Sequence, residues 1–198
     1  IMDALFALFW IIIFSPVFLI IIILQLITSR GPVFYSHDRI GRDGKKFRCH
    51  KFRSMYIEKC DFSKGGTKWT TEKDEVERVT PVGRILRKTN LDELPQLWNI
   101  FVGEMSFVGP RPEQPKLVRR FESEIPEYFR RRRVKAGLTG WAQVNGLKGD
   151  TSIKERVRYD IFYIENWSLW LDIKILIKTV ILVIHETIKG KYEYRSRS

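Results

Sequence analysis

A chain of 198 residues with a net charge of +12 makes one domain of ordinary size that favours anionic partners: nucleic acid, anionic lipid or phosphorylated small molecules. Its two cysteines, Cys49 and Cys60, are too few for a disulfide framework; with His37, His50 and His185 they match no metal-ligand spacing and are read as structural. Apolar residues make up 44% of the chain but concentrate in residues 4–27, and a greasy segment beside a basic one favours lipid and small phosphates over nucleic acid.

Residues 5–27 read LFALFWIIIFSPVFLIIIILQLI and carry no charge. As a straight helix they extend about 35 Å, enough for a hydrocarbon core of about 30 Å. The run lacks the basic leader and small-residue cleavage site of a secretory signal, and a start at Ile1 points to an excerpt from a longer protein. Ser15-Pro16 stands at its centre. Proline removes one helical hydrogen bond, so a bend is expected, and the Ser15 hydroxyl is close enough to help satisfy a freed carbonyl. Two shapes follow: a kinked span, or a re-entrant helix that enters and leaves on one face. Arg30, Arg39, Arg42, Lys45, Lys46 and Arg48 come next and mark that side as cytoplasmic.

Ser29-Arg30-Gly31-Pro32 breaks the chain. Residues 33–35 and 46–52 read as two short strands, joined through Gly41 and Asp43-Gly44 into a hairpin. Residues 58–80 are polar and read as a mobile loop with a short helix, and 82–101 as partly helical. Residues 105–115 read as a Gly/Pro-rich loop that Phe107 and Val108 keep ordered. Residues 116–134 show helical spacing in Leu117, Val118, Phe121, Ile125, Tyr128 and Phe129. Another turn-rich loop covers 137–146, and a helix covers 152–166. Residues 169–189 carry a wide apolar stripe interrupted by Lys174 and Lys178: a core helix, or one lying in a membrane interface.

The chemistry concentrates in Asn90-Leu91-Asp92-Glu93-Leu94-Pro95. Adjacent carboxylates can hold a hard divalent cation together with substrate phosphates, and a carboxylate can attack phosphorus. The same residues can equally form a helix cap, with Asn90 as N-cap and Glu93 at the third helical position. Gly109-Pro110-Arg111-Pro112 fixes one arginine between two rigid residues, which suits bidentate phosphate binding or simply a turn. The run Arg130-Arg131-Arg132-Arg133 suits phosphate, headgroups or solvent.

Taken in order, the motifs resemble the bacterial sugar transferase family, the monotopic polyprenyl-phosphate phosphoglycosyl transferases. The resemblance is carried by Phe14-Ser15-Pro16, Ser29-Arg30-Gly31-Pro32-Val33-Phe34-Tyr35, Arg39-Ile40-Gly41, Lys51-Phe52-Arg53-Ser54-Met55 and Leu91-Asp92-Glu93-Leu94-Pro95-Gln96-Leu97-Trp98-Asn99. It continues through Met105-Ser106-Phe107-Val108-Gly109-Pro110-Arg111-Pro112, Gly137-Leu138-Thr139-Gly140-Trp141-Ala142-Gln143-Val144-Asn145-Gly146 and Tyr159-Asp160 to Leu171-Asp172. Ala136 departs from the family's usual proline, in a turn.

The resemblance implies a mainly α fold with a small β-hairpin (α+β). Residues 1–30 would form a re-entrant membrane helix bent at Ser15 and Pro16, and 31–198 a cytoplasmic catalytic domain with interfacial amphipathic helices, on the bacterial inner membrane. It implies transfer of a hexose-1-phosphate, glucose or galactose favoured, from a UDP-sugar to undecaprenyl phosphate with release of UMP, the first membrane step of polysaccharide assembly. Asp92 would be the nucleophile, and Glu93 would hold Mg²⁺ with it or assist proton transfer. Arg111, between Pro110 and Pro112, would contact the nucleotide, with Arg87, Lys51 and Arg53 as phosphate contacts and Asp160 as an active-site acid. The stretch 145–151 looks like larger members with further N-terminal helices. Implied partners are the UDP-sugar, undecaprenyl phosphate and membrane lipids, with homo-oligomerisation open and no nucleic acid. The competing class is a non-enzymatic basic binder of membrane surfaces.

Overall fold

The computed structural model describes residues 2–57, 78–149 and 151–189. Helix α1, Met2–Thr28, is long and apolar enough to cross a membrane. The helix continues through Pro16. The carbonyl left without its usual donor is that of Ile12, and Ser15 Oγ donates to it at 2.7 Å, as the sequence suggested. A single stripe, Ala7, Ile11, Phe14, Phe18, Ile21 and Gln25, is turned inward, while Leu5, Phe9, Ile12, Leu19, Ile23 and Ile27 are exposed.

The expected hairpin is present: β1, Phe34–Ile40, pairs antiparallel with β2, Lys46–Phe52, in a register that sets Tyr35 opposite Lys51 and His37 opposite Cys49. Asp43 and Gly44 take the turn at φ 56° and 76°. Most of the expected 58–80 loop lies outside the described residues; Arg78 to Thr80 run back against 54–56 through Tyr56 N to Arg78 O and Thr80 N to Ser54 O.

Helix α2, Pro81–Thr89, starts at an N-cap, Thr80, whose Oγ1 accepts from Gly83 N at 2.9 Å. It ends at Asn90 in the left-handed region, φ 57°. A 3-10 turn, Leu91–Glu93, then leads to α3, Gln96–Phe101. The capping box is not formed: Asn90 makes no side-chain cap, and Glu93 points elsewhere. The expected helix over 116–134 is divided into α4, Pro115–Glu124, and a 3-10 segment, Pro126–Arg132. Pro126 forces the preceding Ile125 into extended geometry.

Two stretches read as loops contain strands. β3, Met105–Val108, pairs in parallel with β4, Ala136–Thr139. The pairing is long-range and depends on glycine. A Cβ at Gly137 would overlap the Gly109 nitrogen, one at Gly109 the Lys135 carbonyl oxygen, and one at Gly140 the Gly109 carbonyl oxygen.

A short helix, α5, Trp141–Val144, follows; α6, Ile153–Glu165, and α7, Leu169–Lys189, are the last of the described elements. Ile175 of α7 is buried, whereas Trp170, Ile177, Val180, Ile181 and Ile184 are exposed. Lys178 and Lys174 of this helix lie over the Trp141 ring, at 4.9 Å and 5.8 Å. The helix thus docks by one side and leaves an apolar face open.

The glycine crossing predicts that Gly137→Ala lowers stability by about 1–3 kcal/mol or more, because backbone rather than a flexible side chain must yield. Thermal unfolding in detergent measures it; an unchanged midpoint refutes the close-approach account.

Candidate active site

The α2–α3 turn sits directly beneath α1. Leu91 and Leu94 pack with Val17, Phe18 and Ile21 of α1 and with Phe52, Val82 and Leu86. Asp92, between them, is 9% exposed. Gly83 lets α2 press onto the Ser54 backbone, where a Cβ would collide, and so fixes the turn against the end of β2. Asn99 of α3 clasps the outer edge of β2: its Oδ1 accepts from His50 N at 3.1 Å and its Nδ2 donates to Arg48 O at 2.7 Å. This fixes Lys51 against the acidic turn.

Glu93 Oε1 accepts from Lys51 Nζ at 2.6 Å and from an Arg111 guanidinium nitrogen at 2.8 Å. Burial alone would raise this carboxyl; Arg111 and Lys51 overcome it and hold the group well below the usual carboxylate range. Both cations bind the same oxygen, so Oε2 carries neither.

Arg111 comes from a segment with no regular structure, yet four consecutive carbonyls there are each held. Gly137 N donates to Pro110 O, Arg131 to Arg111 O, Arg39 to Pro112 O and Ile40 N to Glu113 O, at 3.0–3.2 Å. Behind this clamp, Arg131 is fixed by Asp160 at 2.7 Å and by the Tyr128 hydroxyl at 2.9 Å, all three side chains buried. Glu113 is fixed by Arg156 at 2.8 Å.

The structure therefore brings together Lys51, Glu93 and Arg111, beside Asp92 and flanked by Pro110 and Pro112. Arg87 is half-buried in the last turn of α2, just before the acidic turn. Arg53 is spent elsewhere. Its guanidinium donates to Arg30 O at 2.5 Å, Ser29 O at 3.1 Å and Ser29 Oγ at 2.9 Å, capping the exit of α1, while Gln25 Nε2 donates to Arg53 O at 3.1 Å. Asp160 acts on the site through Arg131 and the Arg111 carbonyl. Sequence reading passed over Arg39, Arg131 and Glu113 as site-building residues. The period-two alternation of β1 could have placed Arg39 and His37 on the face of Cys49 and Lys51; nothing local marks Arg131 within its arginine run.

Among the described residues no third carboxylate, His or Cys joins Asp92 and Glu93 in a metal cluster. Two carboxylates with one Glu93 oxygen unclaimed by the cations still fit Mg²⁺, which takes few protein oxygens and completes its shell with phosphate and water.

Fold and site together define an α+β protein built on a long apolar helix, with convergent cations suited to phosphate. Its sequence matches the profile of the bacterial sugar transferase family over residues 1–186, and the chain belongs to that family. It is 42% identical over 90% of its length to a UDP-N-acetylgalactosamine-undecaprenyl-phosphate N-acetylgalactosaminephosphotransferase of Aeromonas hydrophila, and covers 42% of that protein. It is 43% identical over 85% of its length to a UDP-glucose:undecaprenyl-phosphate glucose-1-phosphate transferase of Klebsiella pneumoniae, covering 36% of it. An exopolysaccharide production protein ExoY of Rhizobium meliloti is 43% identical over 90% of this chain, which covers 81% of it. The chain thus spans about two-fifths of the length of the first two relatives.

Burial, and then Arg39, Lys51 and Arg111, push the His37 imidazole down from 6.5 to about 3, with Glu93 opposing them. Between those values the unfolded chain holds the proton and the folded protein does not, so His37 lowers stability as pH falls from 6.5 toward 3. His37→Gln is expected to flatten the pH dependence of unfolding over that window; a slope identical to wild type counts against it.

Proposed function

We propose that the chain moves a hexose-1-phosphate from a UDP-sugar to undecaprenyl phosphate through a phosphosugar bonded to Asp92. The observation that carries this reading is the acidic turn under α1, where Asp92 is tucked beside a Glu93 already neutralised by Lys51 and Arg111. A carboxylate oxygen of Asp92 bonds to the β-phosphorus as the phosphoanhydride bond breaks, and the electron pair leaves with UMP. A phosphate oxygen of undecaprenyl phosphate then bonds to the same phosphorus. The acyl phosphate bond breaks, which restores the carboxylate and yields the lipid-linked diphosphosugar.

Phosphoryl transfer requires positioning and charge neutralisation more than acid–base work. Lys51 and Arg111 supply both, and the carbonyl clamp keeps Arg111 from reorganising. Mg²⁺ held by Asp92, Glu93 and the donor's phosphates would offset charge on the leaving UMP. The names of the Aeromonas and Klebsiella relatives carry both the donor class and the acceptor. They differ in the sugar, so the proposal is a hexose, with glucose and N-acetylgalactosamine the first donors to assay.

The helix geometry supports a re-entrant placement at the cytoplasmic face of the inner membrane. The inward stripe of α1 is bound from Ala7 to Gln25. An upright span would draw the hairpin and α3 into hydrocarbon with it, where their charges are costly. A shallow α1 and the open apolar face of α7 would keep the acidic turn near the lipid surface, within reach of the acceptor's phosphate.

Asp92→Asn is expected to bind vesicles like the wild type yet release UMP only at background rate from a panel of UDP-sugars with undecaprenyl phosphate and Mg²⁺. Mass spectrometry of wild type given donor alone should find a phosphosugar on Asp92. Wild-type turnover in the variant overturns the covalent reading and favours the surface binder.

A further inference from the structure

His37 lies on the face of the hairpin that carries Lys51. Cys49 is its cross-strand partner, so Lys51 is its diagonal neighbour. Both ring nitrogens are sealed from solvent, and neither has a hydrogen-bonding partner among the described residues. Tyr35 stacks on the ring, centroids 5.5 Å apart and planes 21° apart, which holds it in place. The charges acting on it are Arg39, Lys51, Arg111 and Glu93, and Glu93 is already bound to two of those cations.

A buried polar atom without a partner is costly, and two on one fixed ring are unusual in a folded protein. The field around the ring favours an anion. A neutral imidazole offers one N–H donor and one acceptor. A phosphate ester of a sugar presents matching groups, phosphate oxygens and hydroxyls.

We infer that His37 is a binding residue for the diphosphate of the nucleotide sugar: a phosphate entering among Lys51, Arg39 and Arg111 displaces the cover over the ring, and the ring N–H donates to its oxygen. The inference rests on the sugar-phosphate transfer reading above and adds a residue outside the motifs that suggested it. A neutral donor gives direction without strengthening the positive field that would retain UMP after transfer.

The test is calorimetric titration of UDP with Mg²⁺ into the whole chain in detergent, comparing wild type, His37→Phe and His37→Gln, with thermal unfolding measured alongside. His37→Phe keeps the stacking on Tyr35 but has no donor. It should bind UDP about tenfold more weakly, the equivalent of one charge-assisted hydrogen bond, while unfolding at the wild-type temperature or above. His37→Gln should recover most of the affinity. In turnover, the phenylalanine variant should raise KM for the donor more than it lowers kcat. Wild-type UDP affinity in a folded His37→Phe overturns the inference and leaves the reading of the site standing. Wild-type protein that binds no uridine nucleotide sinks both. Equal losses in the Phe and Gln variants, with unfolding temperatures lowered, would assign His37 a structural role and likewise overturn it.

Discussion

One oxygen atom organises this molecule. Glu93 Oε1 is the meeting point of the hairpin, through Lys51, and of the segment after β3, through Arg111, while Glu93 itself comes from the turn between two helices. The ion pairs keep some solvent contact, with side-chain exposures of 18% for Glu93, 19% for Lys51 and 32% for Arg111. Their attraction is largely offset by the cost of drawing the charges out of water. What they fix is position: three segments distant in sequence must arrive within hydrogen-bonding distance of one point, and Asp92 is placed by the same turn.

Much of the remaining polar architecture serves that arrival. Asn99 stands in for a missing strand on the edge of β2. The left-handed Asn90 stops α2 at the right residue. The segment 110–113 obtains the rigidity of a strand without a ladder, because each of its carbonyls has a separate donor. Buried ion pairs give little net stability but are intolerant of rearrangement. Placing Arg131–Asp160 and Arg156–Glu113 behind this segment stiffens the part of the candidate site that carries Arg111. In the proposed transfer, preorganised charge of this kind would avoid the reorganisation that water imposes.

Elements with their own periodicity were legible from sequence. The apolar helix, the hairpin with its Asp43-Gly44 turn, α6 and α7 follow from local pattern, and Ser15 bonds the carbonyl that Pro16 releases. The β3–β4 pair was not legible. Its strands are four residues each, flanked by glycines that read as turns, and those glycines serve a close crossing between segments some 30 residues apart. The cap reading of Asn90 and Glu93 failed because a long-range pair of cations claimed the carboxylate, which no local rule registers. In the site, the residue types of Asp92, Glu93, Arg111 and Lys51 were visible from motif order. The supporting Arg39, Arg131 and Glu113 were hidden because burial and partner, not identity, distinguish them from solvated charge.

The cap that Arg53 places on α1 has a mechanical consequence. Arg53 directly follows β2, two residues after Lys51, and its guanidinium grips Ser29 and Arg30 while its carbonyl is gripped by Gln25. The long apolar helix and Lys51 are thereby joined with only Phe52 between Lys51 and the gripping arginine. In the proposed membrane placement, tilt of the helix would be delivered to the ammonium of Lys51 as displacement, and the bilayer would act as a lever on the alignment of the charges around Glu93.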